Sequence, residues 1–322
     1  TWLAGRSAYA STAIPATSAT TGPPVPDVRR RDWTAEQYFA DESTSRSDLA
    51  LFEIKGAATY NAIKLGDIEH EHTDAMELGT FAHMAVLEPE RWREHAATIR
   101  DRLVIKEEHH GKGARKAEQE WRAGLPAGSI VCTEKQREDR LANVRTACAM
   151  ARTMATRNTP CARQARKIIE RSAKEVTFTW TDDDAELAAG PMPMRCRDDL
   201  LFMDEDGPII VDYKTDRDPE PGAFARHCAK LLYPWQAAVY GEPLIELYDI
   251  EIRFGYIMQR SAPPYEIGVR WLDINDIRAA REQVRAAKRA LSACIASGDW
   301  SSPWEHETDQ TLDLPRWGNG AR

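Results

Sequence analysis

The chain has 322 residues, 42% of them hydrophobic and 29% charged, with a formal net charge of −8. That length holds one large domain or two ordinary ones, and the composition is that of a soluble globular protein. No run approaches the ~18 apolar residues of a membrane-spanning helix, and the negative sum argues against a surface built throughout to coat nucleic acid.

In chain order, residues 1–31 are rich in Ala, Ser, Thr and Pro and lack apolar periodicity, which predicts a disordered arm ending in Arg29, Arg30 and Arg31. It has no basic-then-apolar signal, and its first residue is Thr1, so the numbering is expected to begin inside a longer sequence. Ser45 or Ser47 can cap a helix carrying Leu49, Leu51 and Phe52. A second helix fits "HTDAMELGTFAHMAVLEPERW", with Met76, Phe81 and Met84 along one side and Pro89 after its end. Residues 102–124 read as a charged loop followed by a helix. Helices over 134–158 and 161–172 then carry a basic excess: from Lys135 to Lys174 there are 11 Lys or Arg against 3 acids. That excess is either a solvated helical face or a surface for a polyanion.

From Lys174 the period changes to two in "KEVTFTW", which reads as a strand. A hairpin, helices across 218–240, and strands near "EIRFGYIMQ" and "YEIGVRWL" follow. The helix "DINDIRAAREQVRAAKRALSACIAS" spaces Ile277, Val284 and Leu291 by seven. Central strands with helices before and after predict an α/β or α+β sandwich. The expected division is a single domain over 32–300, helical over 32–173 with a sheet core over 174–300, followed by a tail at 301–322. Six cysteines without a CxxC pair predict reduced thiols and a cytoplasmic protein.

The hairpin "RCRDDLLFMDEDGPIIVDYKT" (195–215) puts Asp199 in its first arm and Asp212 in its second. Gly207 suits the turn. Asp212 and Lys214 share a face and Tyr213 takes the other. Two converging carboxylates repel unless one takes up a proton or a cation intervenes, and an oxygen-only site suits Mg²⁺ or Mn²⁺. The plain alternative is an Asp–Lys pair on an exposed hairpin.

The spacing Asp199, then Asp212-x-Lys214, resembles the PD-(D/E)xK nuclease superfamily. Arg197-x-Asp199 and Thr215 resemble its RecE-like branch of phage-type recombination exonucleases. "SRSDLALF" (45–52), "LGTFAHMAVLEPE" (78–90), "KEVTFTW" (174–180) and "YPWQAAVY" (233–240) resemble further segments of that branch in the same order. The resemblance implies a restriction-endonuclease-like three-layer sandwich, a central mixed β-sheet flanked by helices with a helical N-terminal part. It implies phosphodiester hydrolysis with two Mg²⁺ (or Mn²⁺), held by Asp199, Asp212 and the Tyr213 carbonyl with His83, and with Glu175 among the catalytic acids. Lys214 would position the nucleophile. Gln236 and Tyr240 would touch DNA phosphate or support Lys214, and Arg197 is placed with the DNA-binding set.

Asp198 stands where a Pro or apolar residue is usual. Strand period counted from either end leaves both acids open, and the Arg-x-Asp spacing selects Asp199. Outside these motifs, Lys112, Arg115 and Lys116 in "HHGKGARK" are either phosphate contacts or a solvated loop. Trp235 is a core residue or a base-stacking one.

The expected activity is Mg²⁺-dependent exonuclease action at duplex DNA ends for recombination. Its expected partners are DNA ends and a single-strand annealing protein, with a homo-oligomer and no membrane. The alternatives are an endonuclease of the same superfamily and a non-catalytic DNA-end-binding module.

Overall fold

The computed structural model describes residues 28–69, 73–108, 110, 113–302 and 305. Residues 1–27 of the arm expected over 1–31, and most of the tail expected over 301–322, lie outside the described residues. The chain opens with β1 (Arg29–Arg31), α1 (Ala35–Ala40), β2 (Thr44–Ser45), α2 (Arg46–Lys55) and α3 (Ala57–Leu65). Next come α4 (Asp74–Leu87), α5 (Pro89–Arg102), β3 (Leu103–Ile105), α6 (Ala114–Ala123), β4 (Ile130–Cys132), α7 (Glu134–Thr156) and α8 (Pro160–Arg171). The second half holds β5 (Ala173–Asp182), β6 (Met192–Asp204), β7 (Gly207–Asp216), α9 (Pro221–Lys230) and α10 (Pro234–Tyr248). It ends with β8 (Arg253–Arg260), β9 (Ile267–Trp271) and α11 (Ile274–Ser297).

Local chemistry sets most boundaries. Ser45 caps α2 by accepting from the Asp48 N–H while Asp48 accepts from the Ser45 N–H, a reciprocal capping box. Thr133 caps α7 with a second such box, and Thr73 and Asp273 cap α4 and α11 by accepting a first-turn N–H. Pro89 opens α5, where its missing N–H is not needed, and Gly298 closes α11 at φ 70°.

The main sheet has the order β1-β5-β6-β7-β8-β9, with β2 also paired to β6; β7 and β8 run parallel and the other ladders along that path antiparallel. On one face, Leu49 and Phe52 of α2, Trp235 and Leu244 of α10, and Ile277, Val284 and Leu291 of α11 pack on Phe178, Met194, Ile210 and Phe254. On the other, α4, α7 and α8 bring Val86, Met150, Met154 and Ile168 onto Leu200, Val211, Tyr213 and Ile257. Each such side chain contributes about 1.5–3 kcal/mol by leaving water. This is the expected sandwich of helices on both faces of a mixed sheet. A third cluster joins Phe81 and Met84 to Trp92 and Ile99 of α5 and to Val144 of α7.

Some elements differ from expectation. Arg29–Arg31 are not in a disordered arm; they form an outer strand antiparallel to β5, with Arg30 opposite Phe178. β3, inside the stretch read as loop and helix, pairs in parallel with β4, which lies beyond that stretch, and the two form a separate sheet. Met76 is exposed rather than on the packed side of α4. α10 continues through Pro243 to Tyr248, because Pro243 and Leu244 are buried against the sheet.

Candidate active site

The hairpin ladder runs from Asp204↔Gly207 to Leu200↔Val211 and stops there. Beyond it β7 stays with β8 through Asp216, while β6 pairs with β2 at Thr44↔Met194 and Ser45↔Arg195. The two arms therefore part, and the fork begins at Asp199 and Asp212, which the register would have set opposite one another.

The face of β6 also changes at this point. Met194 and Cys196 lie in the core beneath α10 and α11, yet Leu200 and Phe202 lie in the core beneath α4, α7 and α8. Strict alternation would keep all four on one face. β5 makes the same change, since Val176 and Phe178 share the first core and so does Ala173. Each strand thus carries one residue more than alternation allows, Glu175 in β5 and Asp199 in β6. Glu175 sits at φ 54°, a left-handed conformation that costs a side-chain-bearing residue about 1–2 kcal/mol.

Asp199 turns into the fork. Its Oδ2 accepts from the Tyr213 N–H at 2.9 Å and lies 3.1 Å from His83 Nε2. His83 comes from α4 and is 3.4 Å from Glu175 Oε1. Lys214 Nζ is 2.5 Å from Asp212 Oδ2, and Gln236 Nε2 donates to Asp212 Oδ1 at 2.7 Å. Arg197 donates to Glu175 and also to the Trp33 carbonyl. Lys214 further lies 5.0 Å from the centre of the Tyr233 ring.

The charges are interdependent. Burial pushes Asp212 up to about 6, helped by the Asp199 charge and opposed by Lys214. Burial also raises Asp199, but His83, Lys214 and the Tyr213 N–H outweigh it and hold the carboxyl below its ordinary value. Burial alone would lower His83; Asp199, Glu175 and Asp212 instead raise it to about 9. Glu175 is raised by burial and by Asp199, against His83 and Arg197.

Two buried carboxylate oxygens in the site, Glu175 Oε1 and Asp212 Oδ2, have no aligned hydrogen-bond donor, and neither does Gln236 Oε1 beside them. Oδ2 has Lys214 as its ion-pair partner. Orphaned acceptors among several carboxylates fit a divalent cation, which would replace the His83 proton as the compensating charge. The donors of His83, Glu88 and Glu175 all lie within 4.8 Å of one another, a further group able to hold a metal. Glu88 was missed at the sequence level. Its one signal was the acid that ends α4, five residues after His83.

Asp198 is separate from this group. It is fully buried on the opposite side of the strand and its two oxygens lack hydrogen-bond donors, so burial raises its carboxyl well above the ordinary value. Because the neutral form is favoured in the fold, its contribution weakens as pH rises above about 4. Asp198→Asn is accordingly expected to raise stability at pH 8 by about 1–3 kcal/mol without changing the melting shift produced by Mn²⁺. Asp199→Asn is expected to remove that shift, and thermal melting with and without metal reads both.

The remaining expectations divide. Gln236 is buried on Asp212 rather than presented at the surface. Tyr240 is one turn further along α10 and packs beside the core. The Tyr213 ring is buried, with its hydroxyl donating to Gln259. Trp235 is a core residue whose Nε1 donates to Gln283. Arg115 and Lys116 are exposed on α6, outside the elements that form the fork. Lys112 lies outside the described residues.

Comparison with known proteins agrees with this architecture. A crystal structure from Eubacterium rectale described as a "Putative exonuclease" superposes with a TM-score of 0.53 at 15% identity, covering 88% of this chain and 96% of that one. No curated protein matches the chain. Residues 45–306 match the family described as a PDDEXK-like domain of unknown function (DUF3799), which contains the whole fork. The chain belongs to that PDDEXK-like family.

Proposed function

We propose that this protein is a divalent-metal-dependent deoxyribonuclease of the RecE-like exonuclease type, hydrolysing phosphodiester bonds at duplex DNA ends. The observation that carries the reading is the meeting of Asp199, Asp212, Lys214 and His83 where β6 and β7 part. Asp199, Asp212 and His83, with Glu175 and Glu88 beside them, would hold Mg²⁺ or Mn²⁺, two ions in the reading proposed here. A bound cation there acidifies water and neutralises charge on the phosphoryl oxygens.

The chain's own groups do the rest. Lys214, fixed between Asp212 and the Tyr233 ring, orients the attacking water by donating to it and stabilises the charge it acquires. Gln236 donates to Asp212 and so fixes which oxygen faces the fork. The Tyr213 N–H does the same for Asp199. Arg197 keeps Glu175 turned inward and so acts through that acid rather than on DNA directly. The basic excess on α7 and α8 supplies sequence-independent attraction for backbone phosphates, which weakens as salt rises. Resection that feeds a single-strand annealing protein, performed by a homo-oligomer, is the setting this reading implies.

Linear and circular plasmid incubated with Mg²⁺, with and without EDTA, test the activity. Loss of linear DNA alone, blocked by EDTA, is the expected result. Loss of both forms would convert the reading to an endonuclease, and loss of neither would leave a binding module.

A further inference from the structure

The segment from β1 through α1 to Asp41 lies beside the site and contributes no acid to it. Three arginines fasten it there. Arg197 donates to the Trp33 carbonyl at 3.1 Å, Arg91 reaches Glu36 at 3.4 Å, and Arg195 reaches Asp41 at 3.4 Å. Two of these also hold acids of the pocket, Arg197 on Glu175 and Arg91 on Glu88. Tyr38 fills the space below, with the Arg195 and Arg197 guanidiniums 5.1 and 5.9 Å from its ring centre.

Phe39, the next residue, turns outward. It is 75% exposed, the most exposed of the large apolar side chains among the described residues, and its ring meets Tyr38 edge-on at 5.4 Å. A chain of contacts links it to the pocket, from Phe39 to Tyr38, from Tyr38 to Arg197 and from Arg197 to Glu175. A single exposed apolar residue is ordinary. Phe39 differs in its company: its segment carries Arg29, Arg30 and Arg31 on the outer strand, with the Arg31 guanidinium 5.7 Å from the Trp33 ring. Aromatic faces interleaved with guanidiniums suit a single nucleic-acid strand, whose bases stack while its phosphates pair with the cations. The Thr34–Gln37 capping box and the arginine ties hold the ring in place before any ligand arrives, which lowers the ordering cost of binding.

We propose that Phe39 is the stacking platform for a base of the DNA strand whose backbone enters the fork, with the arginines of β1 taking phosphates of that strand. This rests on the nuclease reading. The test compares wild type, Phe39→Ala and Phe39→Tyr on DNA carrying 2-aminopurine near its end, with Ca²⁺ replacing Mg²⁺ so that the strand is held but not cut. Hydrolysis of bis(p-nitrophenyl) phosphate, which has no base, is followed in parallel with Mg²⁺. Wild type and Phe39→Tyr are expected to quench 2-aminopurine. Phe39→Ala is expected to lose the quenching and bind about tenfold more weakly. All three are expected to share one kcat on the small ester. If wild type cuts DNA and Phe39→Ala binds and quenches as wild type does, the stacking role is overturned and the nuclease reading stands. If wild type neither binds nor cuts DNA, both fall.

Discussion

Lys214→Ala is expected to lower the rate of metal-dependent DNA hydrolysis by about 10²–10³-fold, the usual cost of removing one preorganised donor to the charge that develops in the reaction. Affinity for DNA, measured with Ca²⁺ in place of Mg²⁺, is expected to stay within about threefold, because one cation adds little to polyanion binding. The ammonium is held by Asp212 at 2.5 Å and lies 5.0 Å from the centre of the Tyr233 ring, so its removal takes away a fixed donor. Lys214→Arg is not expected to restore the rate; the larger planar guanidinium pairs with the carboxylate and stacks on the ring without placing a donor where the compact ammonium stands. Single-turnover kinetics separate the two effects. A variant that cuts at the wild-type rate would remove Lys214 from the chemistry.

The second large effect is a pH-dependent metal affinity. Without metal, His83 carries the charge that keeps three acids together, and its pKa is raised to about 9. Its stabilising contribution is therefore complete below about pH 6.5, the free-histidine value, and is lost as pH climbs through about 9. Asp212, raised to about 6, adds in the same sense, because its neutral form is favoured in the fold. A cation needs the opposite states, a neutral imidazole and ionised carboxyls. Binding of Mn²⁺ is thus expected to strengthen by up to about tenfold per pH unit between about pH 7 and 9, with release of about one proton. Calorimetry in two buffers of different ionisation enthalpy reads the proton directly. His83→Gln is expected to flatten the dependence, and a wild-type affinity that does not change across that window would mean that no cation displaces the His83 proton.

How much of this could be read from the residues depends on how local the signal is. The capped start of α2 at Ser45 and the sevenfold spacing on α11 are written in a few neighbouring positions, and both elements form where expected. The turn at Gly207 and the facing of Asp199 and Asp212 follow from hairpin geometry. β1 was hidden because its three arginines show no apolar alternation, and their strand exists only because β5 offers an unpaired edge. α10 passes Pro243 because burial outweighs the missing hydrogen bond, which no local rule reveals. The choice between Asp198 and Asp199 was undecidable by counting for a structural reason. The count itself breaks there, and only the positions of Cys196 and Leu200 in different cores disclose it. Glu88 follows His83 by five residues, but its approach to Glu175 comes from the packing of α4 on the sheet, which sequence spacing does not record.

The supernumerary residues at 175 and 199 bear on how such a protein can be altered. They stand across from each other in adjoining strands, so excising both would let β5 and β6 zip without interruption and would release the left-handed conformation at Glu175. The shortened chain is expected to outlast its parent on heating while lacking two acids of the site. Stability screens run without an activity filter would drift toward that outcome, and repair of regular secondary structure would here be a route to losing the enzyme.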